Sequence, residues 1–356
     1  MRRNAFREIR KKFDKYGLDS ILISNLDNVR YLSGFTGTEG SILITQNGNY
    51  FLTGSRYTTQ ALEQTRGFIV REYDTREKEI LGLVSEQNIK RLGFEPQYIT
   101  FETYNKIRKR LQGTDLTPIE EGLDSLRNMK EDSELELIKE AIRIASESYV
   151  EVIEKIEVGM EEREIALELE YLMRKRGAEK TSFDTIVASG KRAALPHGIA
   201  SEKRIKKGEF IVFDFGAVYQ GYYSDETQTV VVGKPSSKQK KIYQVVKDAQ
   251  EKAIETIKPG IDVTGVDSAA RDYINKAGFG KYFGHGTGHG VGLAVHEMPQ
   301  ISPSSKGIIE EGMVFTIEPG IYIPNWGGVR IEDMVRVTGH GYEKLTYLPK
   351  EMQIIS

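Results

Sequence analysis

The sequence has no cysteine among its 356 residues, which excludes disulfides, thiolate metal ligands and cysteine nucleophiles together. It has one tryptophan and five histidines, so any imidazole chemistry rests on a handful of positions. No apolar run reaches the roughly 18 residues needed to cross a bilayer. A formal net charge of −2 leaves no basic footprint for a nucleic-acid or membrane surface. The expectation is a cytoplasmic protein with small neutral or zwitterionic partners, and with no nucleic acid and no membrane. The opening "MRRNAFREIRKKFDKYG" is basic but lacks an apolar segment; Phe6, Ile9 and Phe13 suit one face of an amphipathic helix instead.

Glycine, in contrast, is abundant at 35 residues, and it is most concentrated in "FGHGTGHGVGL", Phe283 to Leu293. Each interior glycine would cost a helix up to about 1 kcal/mol, so an extended strand is expected. On a strand the glycines leave one face bare while His285, Thr287, His289 and Val291 share the other. The even spacing excludes the dinucleotide pattern GxGxxG. Four positions along a strand put the two histidines about 13 Å apart, so at most one of them touches a given metal ion.

Two domains are expected, 1–125 and 126–356. The first alternates helical patterns with apolar strands at "SILIS", "SILIT" and "YFLT", an α/β signature. The second begins with a long amphipathic helix capped by Asp132 or Ser133, with Leu135, Ile138, Ile142, Ala145 and Tyr149 on one stripe. Further helices are expected over 160–176 and 237–257. Two β regions repeat each other at a constant offset of 104 residues, pairing Gly208 with Gly312, Asp214 with Glu318 and Gly216 with Gly320. Each returns along a second acidic strand, carrying Asp225 in one case and Glu332 in the other, as in an internal duplication with a pseudo-two-fold axis.

Asp214 sits inside the apolar run "IVFDFGAV", and a buried aspartate needs a partner. A hairpin turning at Tyr219-Gln220 would place Asp225 directly opposite it, with Cβ atoms about 5 Å apart; carboxylates that close share a proton or a cation. Glu318 and Glu332 repeat the arrangement across a looser loop. Arg330, two residues before Glu332, should face the same side. Four of the five histidines, His197, His285, His289 and His296, fall in glycine- or proline-marked segments of this half, while His340 reads as a solvated loop residue. Several carboxylates with one or two imidazoles and no thiolate suit Mn²⁺, Co²⁺, Fe²⁺ or Zn²⁺, and their number exceeds what one catalytic ion needs.

With these residues assembled, the chain resembles the pita-bread metallopeptidases, the family of methionine aminopeptidase, aminopeptidase P and prolidase. The resemblance covers 126–356 and rests on Asp214, Asp225, His289, Glu318 and Glu332. The N-terminal half, as in "NVRYLSGFTG", resembles the creatinase/prolidase-type domain, which favours the Xaa-Pro branch. Gly54 departs from the aspartate that relatives often carry in that half. The resemblance implies an α/β (α+β) architecture, a dinuclear centre of two divalent ions (Mn²⁺ or Co²⁺ first, Zn²⁺ or Fe²⁺ otherwise) and proline-containing peptide substrates. Asp225 and Glu332 would bridge the ions, Asp214 would chelate one, and His289 and Glu318 would hold the other. A bridging hydroxide would attack the scissile carbonyl, with Glu318 relaying its proton. His197 and His296 would stabilise the oxyanion. His285 would stand behind the ligands or beside the prolyl ring, Arg330 would orient a bridging carboxylate from behind, and Tyr322 would be a further support behind the ligands. A homodimer is implied by resemblance alone. Because Gln300 stands where dipeptide-specific prolidases tend to carry arginine, aminopeptidase P is expected over an Xaa-Pro dipeptidase. A non-catalytic binding protein of the same fold and a creatinase-like hydrolase without metal are remoter alternatives.

Overall fold

A computed structural model describes residues 3–111 and 113–356. The chain divides into two compact units, Met1–Arg127 and Asn128–Ser356, each considered by itself.

In the first unit a six-stranded sheet runs in the order Ile69–Tyr73, Asn49–Gly54, Ser41–Thr45, Ser20–Ile23, Arg91–Phe94, Asp115–Pro118. Only Ser41–Thr45 runs antiparallel to its neighbours: a short turn returns it directly to Asn49–Gly54, whereas the parallel strands that follow are reached by connections through helices. The strands are apolar on both faces: Leu22, Leu43, Leu52 and Leu92 pack against Ile80, Leu83 and Ile107 of the covering helices. The helix Arg3–Tyr16 buries Phe6, Ile9 and Phe13, the stripe its sequence spacing marks.

The second unit is built twice. In each half a twisted hairpin is backed by a pair of helices. The helices Asp132–Ile153 and Glu162–Lys175 lie on the sheet Ile186–Ser189, Phe210–Phe215, Glu226–Val232, Gln353–Ile355. Tyr149 anchors this layer, fully buried and stacked on Phe215 at 5.1 Å; such a side chain contributes roughly 1.5–3 kcal/mol by burial. Ser237–Glu255 and Val263–Lys276 cover the other hairpin, over Phe315, Ile317, Val335 and Val337. The first helix of the unit is capped by Glu131, which exchanges a capping box with Glu134. The expected caps, Asp132 and Ser133, lie inside the first turn instead, because a glutamate can serve as the acceptor one residue earlier.

Two further expectations are corrected. The first hairpin closes at Gln220 and Gly221, both at positive φ (45° and 80°), the backbone of a two-residue primed turn. The ladder therefore pairs Asp214 with Thr227 and not with Asp225. A slip of two residues preserves the side-chain face, so both acids still point into one space. The glycine-rich run is a strand only over Gly288–Gly290, with a bulge after His289. Upstream, the carbonyls of Phe283 and His285 accept from the Arg271 guanidinium and so need no strand partner.

Candidate metal centre

The second hairpin pairs Ile317 with Asp333 and Gly320 with Arg330. That register sets Glu318 and Glu332, which lie between those pairs, across from one another. The return strands of the two hairpins also meet: Glu332 N–H donates to the Thr227 carbonyl (3.2 Å), the Thr227 hydroxyl donates to the Glu332 carboxylate (2.7 Å), and the Thr229 hydroxyl donates to the Arg330 carbonyl (2.7 Å). Four carboxylates from two remote segments thereby share one pocket.

His289 enters from a third strand whose glycines allow close approach. A Cβ on Gly288 would stand 1.8 Å from the Thr316 carbonyl oxygen, and one on Gly290 would stand 2.2 Å from that of Met298. With both bare, the strand lies tight between its neighbours and its imidazole Nε2 reaches within 3.6 Å of Asp225 Oδ2 and 3.5 Å of Glu318 Oε1. Ligand atoms of Asp225, His289 and Glu332 all lie within 4.8 Å of one another. His285 is not in this cluster. Its Nε2 meets the Tyr322 hydroxyl at 2.9 Å, that hydroxyl accepts from Arg330 at 2.9 Å, and Arg330 donates to Asp214, a chain that braces one carboxylate from behind.

The electrostatics are those of a cation site. Asp225 and Glu332 are nearly inaccessible (4% and 2% exposed). Burial first, then the neighbouring carboxylates, pushes both far above the usual carboxylate range, and burial raises Glu318 as well. Burial lowers His289, so its ring is neutral and a nitrogen lone pair is available. Among the described residues Arg330 is the one permanent cation paired with any of the four carboxylate groups. The Asp214 atom Oδ1 is buried without a hydrogen-bond partner, which a chain of this packing does not leave without cause. Oxygen-rich, thiolate-free and short of positive charge, the donor set fits divalent cations.

Residues 136–339 match the model of metallopeptidase family M24, and residues 6–129 match that of the creatinase/prolidase N-terminal domain. The chain belongs to family M24. It is 41% identical to an Xaa-Pro dipeptidase of Pyrococcus horikoshii over 95% of each chain. Among solved structures, an Xaa-Pro dipeptidase from Bacillus anthracis superposes with a TM-score of 0.96 at 43% identity over 99% of both chains. An X-Pro aminopeptidase from Thermotoga maritima gives 0.89 at 40% identity, over 95% of this chain and 98% of that one. The α/β architecture with a pita-bread second half accords with both sets, and no helix among the described residues is long and apolar enough to cross a membrane.

Around this M24 centre, His296 is exposed and packs edge-on against His289 with ring centroids 4.3 Å apart. Desolvation of the ring face packed on its neighbours, then the facing His289 and His197, hold its pKa down. His197 is exposed on a loop whose Pro196 carbonyl accepts from Arg330 at 3.1 Å. His340 is an exposed residue of the turn that follows the strand Asp333–Thr338. Sequence reasoning passed over three supports. Thr227 joins Glu332 to Arg330. Asp267 with Arg271 holds the Thr287 hydroxyl and the His285 carbonyl. Lys130 forms a buried ion pair with Glu297 at 3.1 Å, directly after His296. The Gln-Gly turn dipeptide would have revealed Thr227; the other two join segments too distant in sequence to leave a local signal.

Proposed function

We propose that the protein is a dinuclear metal-dependent Xaa-Pro dipeptidase of the prolidase type. The observation that carries the metal reading is the convergence of Asp214, Asp225, His289, Glu318 and Glu332, with one buried Asp214 oxygen lacking any partner. These five residues would hold two divalent ions, Mn²⁺ or Co²⁺ by donor chemistry, which when bound lower the pKa of a water and polarise the scissile carbonyl. Glu318, whose carboxyl burial raises above the ordinary carboxylate range, takes the proton of the attacking water and passes it to the leaving proline nitrogen. His197 and His296, both exposed at the mouth, hydrogen-bond the peptide and the oxyanion that develops on its carbonyl. Arg330, held by Thr227, Tyr322 and the Pro196 carbonyl, orients Asp214, and His285 steadies Tyr322 from the far side.

The relatives favour the dipeptidase alternative over the aminopeptidase P reading drawn from Gln300. Gln300 stands opposite His289 in the ladder and is exposed. Cross-strand partners share a face, so its amide can donate to a dipeptide carboxylate where an arginine would otherwise do so. Hydrolysis of Ala-Pro beside Ala-Pro-Ala, with Mn²⁺ or Co²⁺ and a chelator control, decides the matter. Chelator-sensitive cleavage of the dipeptide supports the proposal; cleavage of the tripeptide alone returns the aminopeptidase P reading.

A further inference from the structure

Each return strand of the twin hairpins carries a second acid next to its presumed ligand: Glu226 follows Asp225 and Asp333 follows Glu332. Neighbours on a strand point to opposite faces, so Glu226 and Asp333 face away from the metal cluster, into the packing behind it. Both are almost fully buried, at 2% and 0% exposure. One ammonium joins them. Lys350 Nζ lies 2.8 Å from Glu226 Oε1 and 3.1 Å from Asp333 Oδ1, and it donates to the Glu332 main-chain carbonyl at 2.8 Å. The remaining carboxylate oxygens are also satisfied. Glu226 accepts from Gln228 (2.9 Å) and Ser146 (3.0 Å), and Asp333 accepts from Thr346 (2.6 Å), Gln250 (2.8 Å) and the half-exposed Lys344 (2.9 Å).

We infer that Lys350 is a positioning residue for the metal centre, a charge clamp on the back faces of both return strands that sets the separation of Asp225 and Glu332 on the front. This rests on the dinuclear reading above. The physical argument is one of constraint. The two bridging carboxylates belong to different hairpins, joined on the front by the hydrogen bonds of Thr227 and Thr229 to the opposite strand and on the back by Lys350. The Lys350 ammonium contacts both strands one residue from each ligand and bonds the backbone of one ligand directly. A fully satisfied buried polar network holds a single geometry, and outer partners of this kind are worth 10- to 100-fold in metal affinity. Its lysine comes from the segment between Gly341–Lys344 and Gln353–Ile355, so the clamp also ties the strand Gln353–Ile355, which pairs with Glu226–Val232, to the site.

The test is Mn²⁺ binding by titration calorimetry on the full chain, with the visible absorption of the Co²⁺ form and a separate determination of kcat and KM for Ala-Pro. The variants are Lys350→Met and the charge-compensated Lys350→Met/Glu226→Gln, which removes one charge of each sign and avoids stranding a buried carboxylate. The double variant is expected to fold with wild-type secondary structure, to bind Mn²⁺ about 10- to 100-fold more weakly, to show a changed Co²⁺ spectrum, and to lose kcat with KM little moved. Wild-type affinity and spectrum in the folded double variant would overturn the inference. Failure of the double variant to fold would also overturn it, since the clamp would then serve the core alone. A wild-type chain that takes up no Mn²⁺ would instead overturn the dinuclear reading itself.

Discussion

Asp225→Asn should act in opposite directions on the metal-free and metal-loaded protein. The substitution keeps the side chain's shape and removes one of four crowded charges. In the metal-free chain the nearest ligand atoms of Asp225 and Glu332 are at most 4.8 Å apart. At the effective dielectric of about 20 that suits protein sites, two unit charges at that separation or closer repel by at least about 3.5 kcal/mol. Proton uptake relieves part of this repulsion, since both carboxyls are raised, leaving a gain of about 1–2 kcal/mol for the metal-free variant. For a unit of this size that is a rise in melting temperature of several degrees. Metal reverses the order. Wild type at 100 times its dissociation constant gains about 2.7 kcal/mol per ion, whereas the variant, lacking a presumed bridge, gains little. Differential scanning calorimetry with and without Mn²⁺ reads both effects. A variant that melts below metal-free wild type, or that keeps the full metal-induced shift, refutes the reasoning.

Metal-free stability should fall as pH rises. Asp225, Glu318 and Glu332 hold protons more tightly folded than unfolded, so their contribution is complete below the ordinary carboxylate range and is lost as pH climbs through the raised values; Mn²⁺ affinity should rise over the same interval with proton release, both measurable by melts and calorimetry across pH. Gly288→Ala places a Cβ against the Thr316 carbonyl and should cost roughly 1–3 kcal/mol or more in urea melts and displace His289, while Gly284→Ala, with nothing within 4 Å, should cost little and keep activity. Lys130→Met leaves Glu297 charged in a buried setting and should lower stability by about 3–5 kcal/mol; a loss under 1 kcal/mol would show the pair to be solvated. Gln300→Arg should lower KM for Ala-Pro and leave kcat close to wild type; an unchanged KM would place the dipeptide carboxylate elsewhere.

The fold was legible wherever periodicity speaks. The stripe from Leu135 to Tyr149 is buried as its spacing requires, and the apolar runs near Ile21, Ile42 and Phe51 are strands. The site residues were legible as types in context: acids inside apolar strands and a histidine among glycines. Register was not. Placing the turn one residue early set Asp225 directly opposite Asp214, whereas the ladder leaves it diagonal, two residues before the Thr227 partner, because a Gln at positive φ is an uncommon choice that only the following glycine signals. The bulge after His289 and the Arg271 contacts that end the strand early depend on a helix contributed elsewhere. Lys350 gave no sign at all: a lysine near a chain end reads as solvated until the buried acids behind the metal cluster are seen around it.

The most direct test of the central claim is the rate of Ala-Pro hydrolysis by chelator-stripped protein as Mn²⁺ is added in known equivalents per chain. Two ions held by Asp214, Asp225, His289, Glu318 and Glu332 predict negligible hydrolysis at the start and a plateau at two equivalents. Hydrolysis that persists in chelator, or uptake of Mn²⁺ without any hydrolysis, would contradict it.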